Sequence, residues 1–88
     1  STLGANNRVY AELLRLAKPN AKDGGKTAVI RPVPIHGDIA ARVSTTRETV
    51  ARVLSDVSKK QIVVKEGSSL IIKDIDRLRD MVEQFRGD

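Results

Sequence analysis

Thr45-Thr46-Arg47-Glu48-Thr49-Val50-Ala51-Arg52-Val53-Leu54 is the stretch whose reading decides the fold. Val50, Val53, Leu54 and Val57 fall at i, i+3, i+4 and i+7, so the stretch is predicted to open a helix with that stripe against a core. The opposite face then projects Arg47, Glu48, Arg52 and Ser55 together from the front of the helix.

Thr45 followed three residues later by Glu48 has the S/T-x-x-E form of a capping box, in which each side chain satisfies a backbone N–H of the other residue. Such a cap contributes about 0.5–2 kcal/mol. Upstream, Asp38 to Val43 is predicted to be a short helix with Ile39, Ala40 and Val43 apolar, separated from the next helix only by Ser44 and Thr45. Two helices that close must cross steeply, which makes a helix-turn-helix whose second helix can enter a major groove.

At 88 residues the chain is one domain, near the small end of what a single hydrophobic core can hold. With no cysteine, a disulfide framework, a thiolate zinc site and a thiol nucleophile are all excluded. Tyr10 and Phe85 are the only aromatic residues, so the base stacking used by single-strand and RNA binders has little to work with and a duplex is the expected target. No apolar run reaches the length of a membrane span and the N-terminus lacks a signal-peptide layout, which leads to the expectation of a soluble, cytoplasmic domain that keeps off membranes. Net charge is +5 but unevenly spread: residues 1–73 carry 13 basic and 6 acidic groups, whereas 74–88 carry 3 basic and 5 acidic. The excess on the front of the chain favours a polyanionic partner through counterion release, although it also serves solubility.

Residues 7–18 place Val9, Leu13 and Leu16 on one stripe, widened by Tyr10, Leu14 and Ala17, with Asn6 or Asn7 available as the cap. Pro19 stops that helix, and residues 19–27 turn polar and glycine-rich, a surface loop by composition. Gly24-Gly25 has no downstream Gly-Lys-Ser/Thr and is no phosphate loop. Ala28 to Arg31 is predicted to be a strand, with Pro32 and Pro34 confining it to an edge. Lys59-Lys60 places positive charge near the negative end of the recognition helix, within reach of phosphate. Ile62 to Val64 and Leu70 to Ile72 are predicted strands joined by residues 65–69, with Gly67 available for a positive φ. Asp74 should cap a last helix whose Ile75, Leu78, Val82 and Phe85 share a stripe ending at Gly87, and whose mixed, acidic outer face should point away from nucleic acid. The fold class expected is α+β: a winged helix-turn-helix of about four helices and a small antiparallel sheet.

His36 is the only histidine, and a metal site needs three or four suitably spaced ligands, so His36 is expected as a turn or first-turn residue near a phosphate. Asp38, His36 and Ser44 lie close in sequence without the spacing of a catalytic relay, so no enzyme is expected. The rival reading is a winged helix that docks on polymerase or a partner regulator. Arg47, Glu48 and Arg52 argue against it, since a docking helix more often exposes aromatic or aliphatic anchors.

The chain resembles the DNA-binding domain of the cyclic AMP receptor protein and fumarate-nitrate regulator family of bacterial transcription factors. Arg8-Val9-x-x-x-Leu13-Leu14-x-Leu16-Ala17 is similar to the helix after the family's hinge, Ile35 to Arg52 to its helix-turn-helix, and Ile62 to Ile72 to its wing. The most specific piece is Thr46-Arg47-Glu48-Thr49-Val50-Ala51-Arg52, which resembles the Ser/Thr-Arg-Glu-Thr-Val-x-Arg motif opening the recognition helix. The resemblance implies that Arg47 and Arg52 read guanines of a TGTGA-like half-site and that Glu48 accepts from a cytosine amino group. The chemistry is independently suitable, since a guanidinium fork fits guanine O6/N7 and a carboxylate accepts from cytosine N4. Thr45, Thr46, Ser55, Lys59 and His36 would then meet the DNA backbone or flanks. Ser44 stands where the family has its turn glycine, Lys60-Gln61 replaces the glycine after the recognition helix, and the wing tip Glu66-Gly67-Ser68 has no basic residue. The family's effector barrel and long dimerisation helix have no counterpart in these residues, so the chain is expected to be a monomer, whereas a full-length regulator would be a homodimer able to contact RNA polymerase. No cofactor is expected in this domain, and a cyclic nucleotide or other effector would belong to the N-terminal barrel.

Overall fold

A computed structural model describes residues 2–84, so the expected places of Phe85 and Gly87 lie outside it. The helices are α1 (Thr2–Ala17), α2 (His36–Val43), α3 (Arg47–Lys59) and α4 (Ile75–Gln84). The strands are β1 (Ala21–Lys22), β2 (Thr27–Ile30), β3 (Val63–Glu66) and β4 (Ser69–Ile72), in one antiparallel sheet of order β1-β2-β4-β3. This is the expected winged helix-turn-helix, built on a core of Val9, Leu13, Val50, Val53, Val57, Ile62, Ile72 and Leu78 with their aliphatic neighbours.

α1 packs on α2, α3 and α4, its Val9, Tyr10, Leu13 and Ala17 buried. It starts well before residue 7, and Asn6 and Asn7 lie inside it instead of capping it. Residues 2–5 contain no proline to break a helix, and tertiary packing overrides the weak preference of asparagine for helix ends. Residues 19–27 are not the open loop expected from their composition. A 3-10 turn at Lys18–Asn20 leads into β1, which pairs Ala21 with Ala28 and Lys22 with Thr27. Asp23, Gly24 and Gly25 all take positive φ, and Thr27 Oγ1 donates to Asp23 Oδ2 at 3.1 Å, closing a tight hairpin.

That hairpin corrects the expected edge position of β2, which lies inside the sheet between β1 and β4. The strand is shifted one residue earlier than expected and ends at Ile30, so neither proline falls within it. The wing strands are also offset: Ile62 precedes β3, and only Gly67 and Ser68 connect the strands, with Gly67 at φ 61°. α4 begins as expected, Asp74 Oδ1 accepting from the Arg77 N–H at 2.9 Å. Its buried side is Ile75, Leu78 and Met81, with Val82 half-buried.

An ion cluster joins α1 to α2. Glu12 is only 7% exposed, receives two hydrogen bonds of 2.8 Å from Arg15, and lies 3.1 Å from Arg42 Nε. The Arg15 hydrogen bonds hold its carboxyl below the usual glutamate range against the opposing effect of burial, with both guanidinium charges assisting. A lowered folded-state value contributes stability above the ordinary glutamate range that is lost as pH falls through the lowered value. Glu12→Gln should therefore be less stable than wild type at neutral pH, and urea midpoints should converge as pH falls through that window. A gap independent of pH would show that the charge of Glu12 is immaterial.

Candidate nucleic-acid interface

The exposed face of α3 is fixed by its first residue and by its buried stripe. The N-cap is Thr46, with φ −98° and ψ 159°, and its Oγ1 accepts from the Thr49 N–H at 3.1 Å. The expected capping box between Thr45 and Glu48 is not formed. Thr45 belongs to the end of α2, its N–H donating to the Ala40 carbonyl at 2.9 Å, so the first residue free to act as cap is Thr46. Glu48 is therefore released from the expected capping role; it stands exposed in the positive first turn of α3 and has no ion-pair partner among the described residues.

Val50, Val53 and Val57 are buried and Leu54 half-buried, as the periodicity indicated. Burial of that stripe turns Arg47, Glu48, Ala51, Arg52, Ser55, Ser58 and Lys59 outward. The other arginines on the described residues are engaged within the fold. Arg8 donates to backbone carbonyls, Arg15 and Arg42 to Glu12, Arg31 to Ser69, Arg77 to the Lys60 carbonyl and Arg79 to Asp76. Among the described residues, Arg47 and Arg52 alone of the arginines donate no hydrogen bond to the protein.

The expected site residues do not share one cavity. His36, Arg47 and Glu48 line a shallow cleft with Ile35, Gly37 and Ala51. There Arg47 crosses the first turn of α2: a Cβ added at Gly37 would stand 3.1 Å from its Nε. His36 and Ser55 also line the groove between α3 and the wing, beside Lys65. Arg52 faces α1, in a cleft with Asn6, Tyr10 and Asp56. Burial raises the Tyr10 phenol above its ordinary range, and the Asp56 carboxylate adds to this. Thr45 and Thr46 stand at the front of α3, and Lys59 is exposed at its far end.

α2 begins at His36, two residues earlier than expected, with Ile35 in extended conformation before it. Ile35 is 67% exposed and flanks Arg47, a placement that apolar periodicity gives no means of finding. Gly37 was equally invisible, since its role comes from a contact with the following helix. Among the described residues no three of His, Cys, Asp and Glu converge to hold a metal ion, and no helix is long and apolar enough to cross a membrane.

Residues 7–81 match the family model of the Crp-like helix-turn-helix domain. The chain belongs to that family. It is a DNA-binding domain of transcription regulation. Comparison with curated proteins gives no match. Among solved structures, a transcriptional regulator of the CRP/FNR family from Thermus thermophilus is 29% identical with a TM-score of 0.67, over 89% of this chain and 40% of that one. Oxidized CprK in complex with o-chlorophenolacetic acid shares the fold at a TM-score of 0.78 and 22% identity, over 99% of this chain and 38% of that one. The imidazole-bound CO-dependent transcription factor CooA from Carboxydothermus hydrogenoformans does so at 0.74 and 24%, over 89% and 36%. The Crp-like domain thus spans about two fifths or less of each of these chains.

The division between engaged and unengaged arginines is directly observable. In the free Crp-like domain, the Nε–H protons of Arg8 and Arg15 should exchange with solvent markedly more slowly than those of Arg47 and Arg52, by arginine-selective NMR. Equal exchange at all four would mean that Arg47 and Arg52 are held by contacts of their own.

Proposed function

We propose that this domain reads a TGTGA-like half-site by inserting residues 46–55 into the major groove. Arg47 and Arg52 each address a guanine through O6 and N7, and Glu48 accepts from a cytosine N4. Thr45, Thr46, Ser55, Lys59 and His36 meet phosphates or flanking sugars and set the register. The observation that carries this reading is that Arg47 and Arg52 stay unbonded on the outer face of α3 while the remaining described arginines are spent inside the fold. A guanidinium with no intramolecular partner breaks no protein hydrogen bond to reach a base, and gives up only its water and side-chain freedom.

The small share of each related regulator that this domain spans supports a modular regulator, as do a CO-dependent factor and a complex with o-chlorophenolacetic acid among those relatives. In it this single domain reads DNA while an effector-sensing portion outside residues 1–88 supplies ligand response and pairing, and the homodimer presents two such domains to a palindrome. RNA polymerase is a further partner of that whole regulator. The 88 residues by themselves act as a monomer with weak, salt-dependent affinity.

A titration of the domain with a TGTGA half-site duplex, beside a scrambled duplex at equal salt, tests the assignment. Arg47→Ala and Arg52→Ala should each cost about 1–3 kcal/mol on the half-site, leave scrambled binding nearly unchanged, and relax selection at one base pair. Equal losses on both duplexes would reduce these arginines to phosphate contacts. Absence of binding to either duplex at low salt would favour protein docking instead, and a stable dimer of the free domain by light scattering would refute the monomer.

A further inference from the structure

Between α2 and α3 the chain turns on Ser44, at φ 58° and ψ 53°, the left-handed region that favours glycine. Serine has lower-energy conformations in which the two helices would no longer meet at this angle. Some of the restraint is local, since the N–H groups of Ser44 and Thr45 both donate to the Ala40 carbonyl. The rest comes from outside the motif. Arg8, on α1, donates from Nε to the Val43 carbonyl at 2.8 Å and from Nη2 to the Ser44 carbonyl at 3.1 Å.

These two acceptors lie on either side of the φ and ψ of Ser44, so a rigid guanidinium bonded to both fixes their relative orientation. They are also end carbonyls of α2, where a cation is favoured by the helix dipole. α1 cannot easily slide away, because Glu12, one turn further along the same helix, is tied to Arg42 of α2. Gln61 offers a contrast within the molecule. It too is a non-glycine residue at positive φ, 61°, and has half of this arrangement: Arg77 donates to the preceding Lys60 carbonyl at 3.2 Å, but among the described residues no arginine donates to the carbonyl of Gln61 itself, so its φ and ψ are not spanned. That turn leads only into the wing; the Ser44 turn aims the base-reading helix.

We infer that Arg8 is a positioning residue for DNA recognition, whose two hydrogen bonds hold the left-handed Ser44 turn and so set the angle at which α3 is presented. The inference rests on the DNA-reading role of α3 proposed above, but it makes a separate claim about the free protein. In that claim Arg8 and Ser44 are energetically coupled: a glycine at 44 needs no clamp, so it makes Arg8 dispensable.

A double-mutant cycle of Arg8→Ala and Ser44→Gly tests it, with urea unfolding of the free domain and titration of half-site and scrambled duplexes as readouts. Relieving one left-handed serine is worth about fivefold or more in an equilibrium constant, which sets the scale of the coupling expected. Arg8→Ala should raise the unfolding equilibrium constant and lower half-site affinity, each by about that factor, with the amide shifts of residues 43–48 displaced and scrambled binding little altered. In the Ser44→Gly background the same substitution should cost less than about twofold in each. Equal losses on the two duplexes that persist with glycine at 44 would make Arg8 a phosphate contact and overturn the inference, as would additive effects in unfolding. Should wild type fail to distinguish the duplexes, the base-reading assignment falls, while the unfolding cycle still decides whether the clamp exists.

Discussion

The interface depends on the burial of one stripe of α3. Val50 and Val57 are fully inaccessible and Val53 nearly so, packed in the core shared with Val9 and Leu13 of α1. Each such side chain contributes about 1.5–3 kcal/mol when removed from water, so rotation of α3 about its axis would forfeit several kcal/mol. The rotation is thereby locked, and the direction in which Arg47, Glu48 and Arg52 project is a consequence of where the valines must go. An exposed face made of long, flexible, hydrated side chains has no means of fixing itself. Its precision is borrowed from the aliphatic side of the same helix.

Rotation about the axis is one freedom; tilt of the axis is another. α2 buries Ile39 and Ala40 and packs a half-buried Val43 against the core, a smaller apolar face than that of α3. Polar contacts from α1 add to that packing. Arg8 bonds the carbonyls at the turn and Glu12 bonds Arg42, so α1 holds α2 at two places along its surface. The low exposure of Glu12 strengthens that tie, because a paired carboxylate screened from water gains more from its guanidinium neighbours than one at the surface does.

Much of this was legible in the sequence because it rests on periodicity. The stripe of α3, the helix-turn-helix, the wing with Gly67 at its turn and the Asp74 cap follow from apolar spacing and local hydrogen-bonding chemistry, and the structure has all of them. The misreadings share a different cause. Ala21-Lys22 carries no strand signal of its own and becomes β1 because the Asp23-Gly24-Gly25 turn folds it onto β2. Thr45 and Thr46 are chemically equivalent as caps, and what separates them is that the α2 terminus claims the N–H of Thr45. The engagement of Arg8 was hidden for the same reason, since its acceptors lie 35 and 36 residues away and no local pattern marks them.

α2 and α3 approach each other again at Gly37. It sits in the first turn of α2, half-buried, and the guanidinium of Arg47 lies across it at a distance that a methyl group would crowd. A methyl group there would require the end of the Arg47 side chain to shift by a few tenths of an ångström. The two helices thus approach each other both at the turn that joins them and across the cleft in front of it. Arg47 is exposed and free of hydrogen bonds to the protein, its guanidinium resting over Gly37. Arg52 instead faces the cleft with Tyr10 and Asp56. The two arginines therefore stand in different surroundings, although the sequence motif presents them as equals.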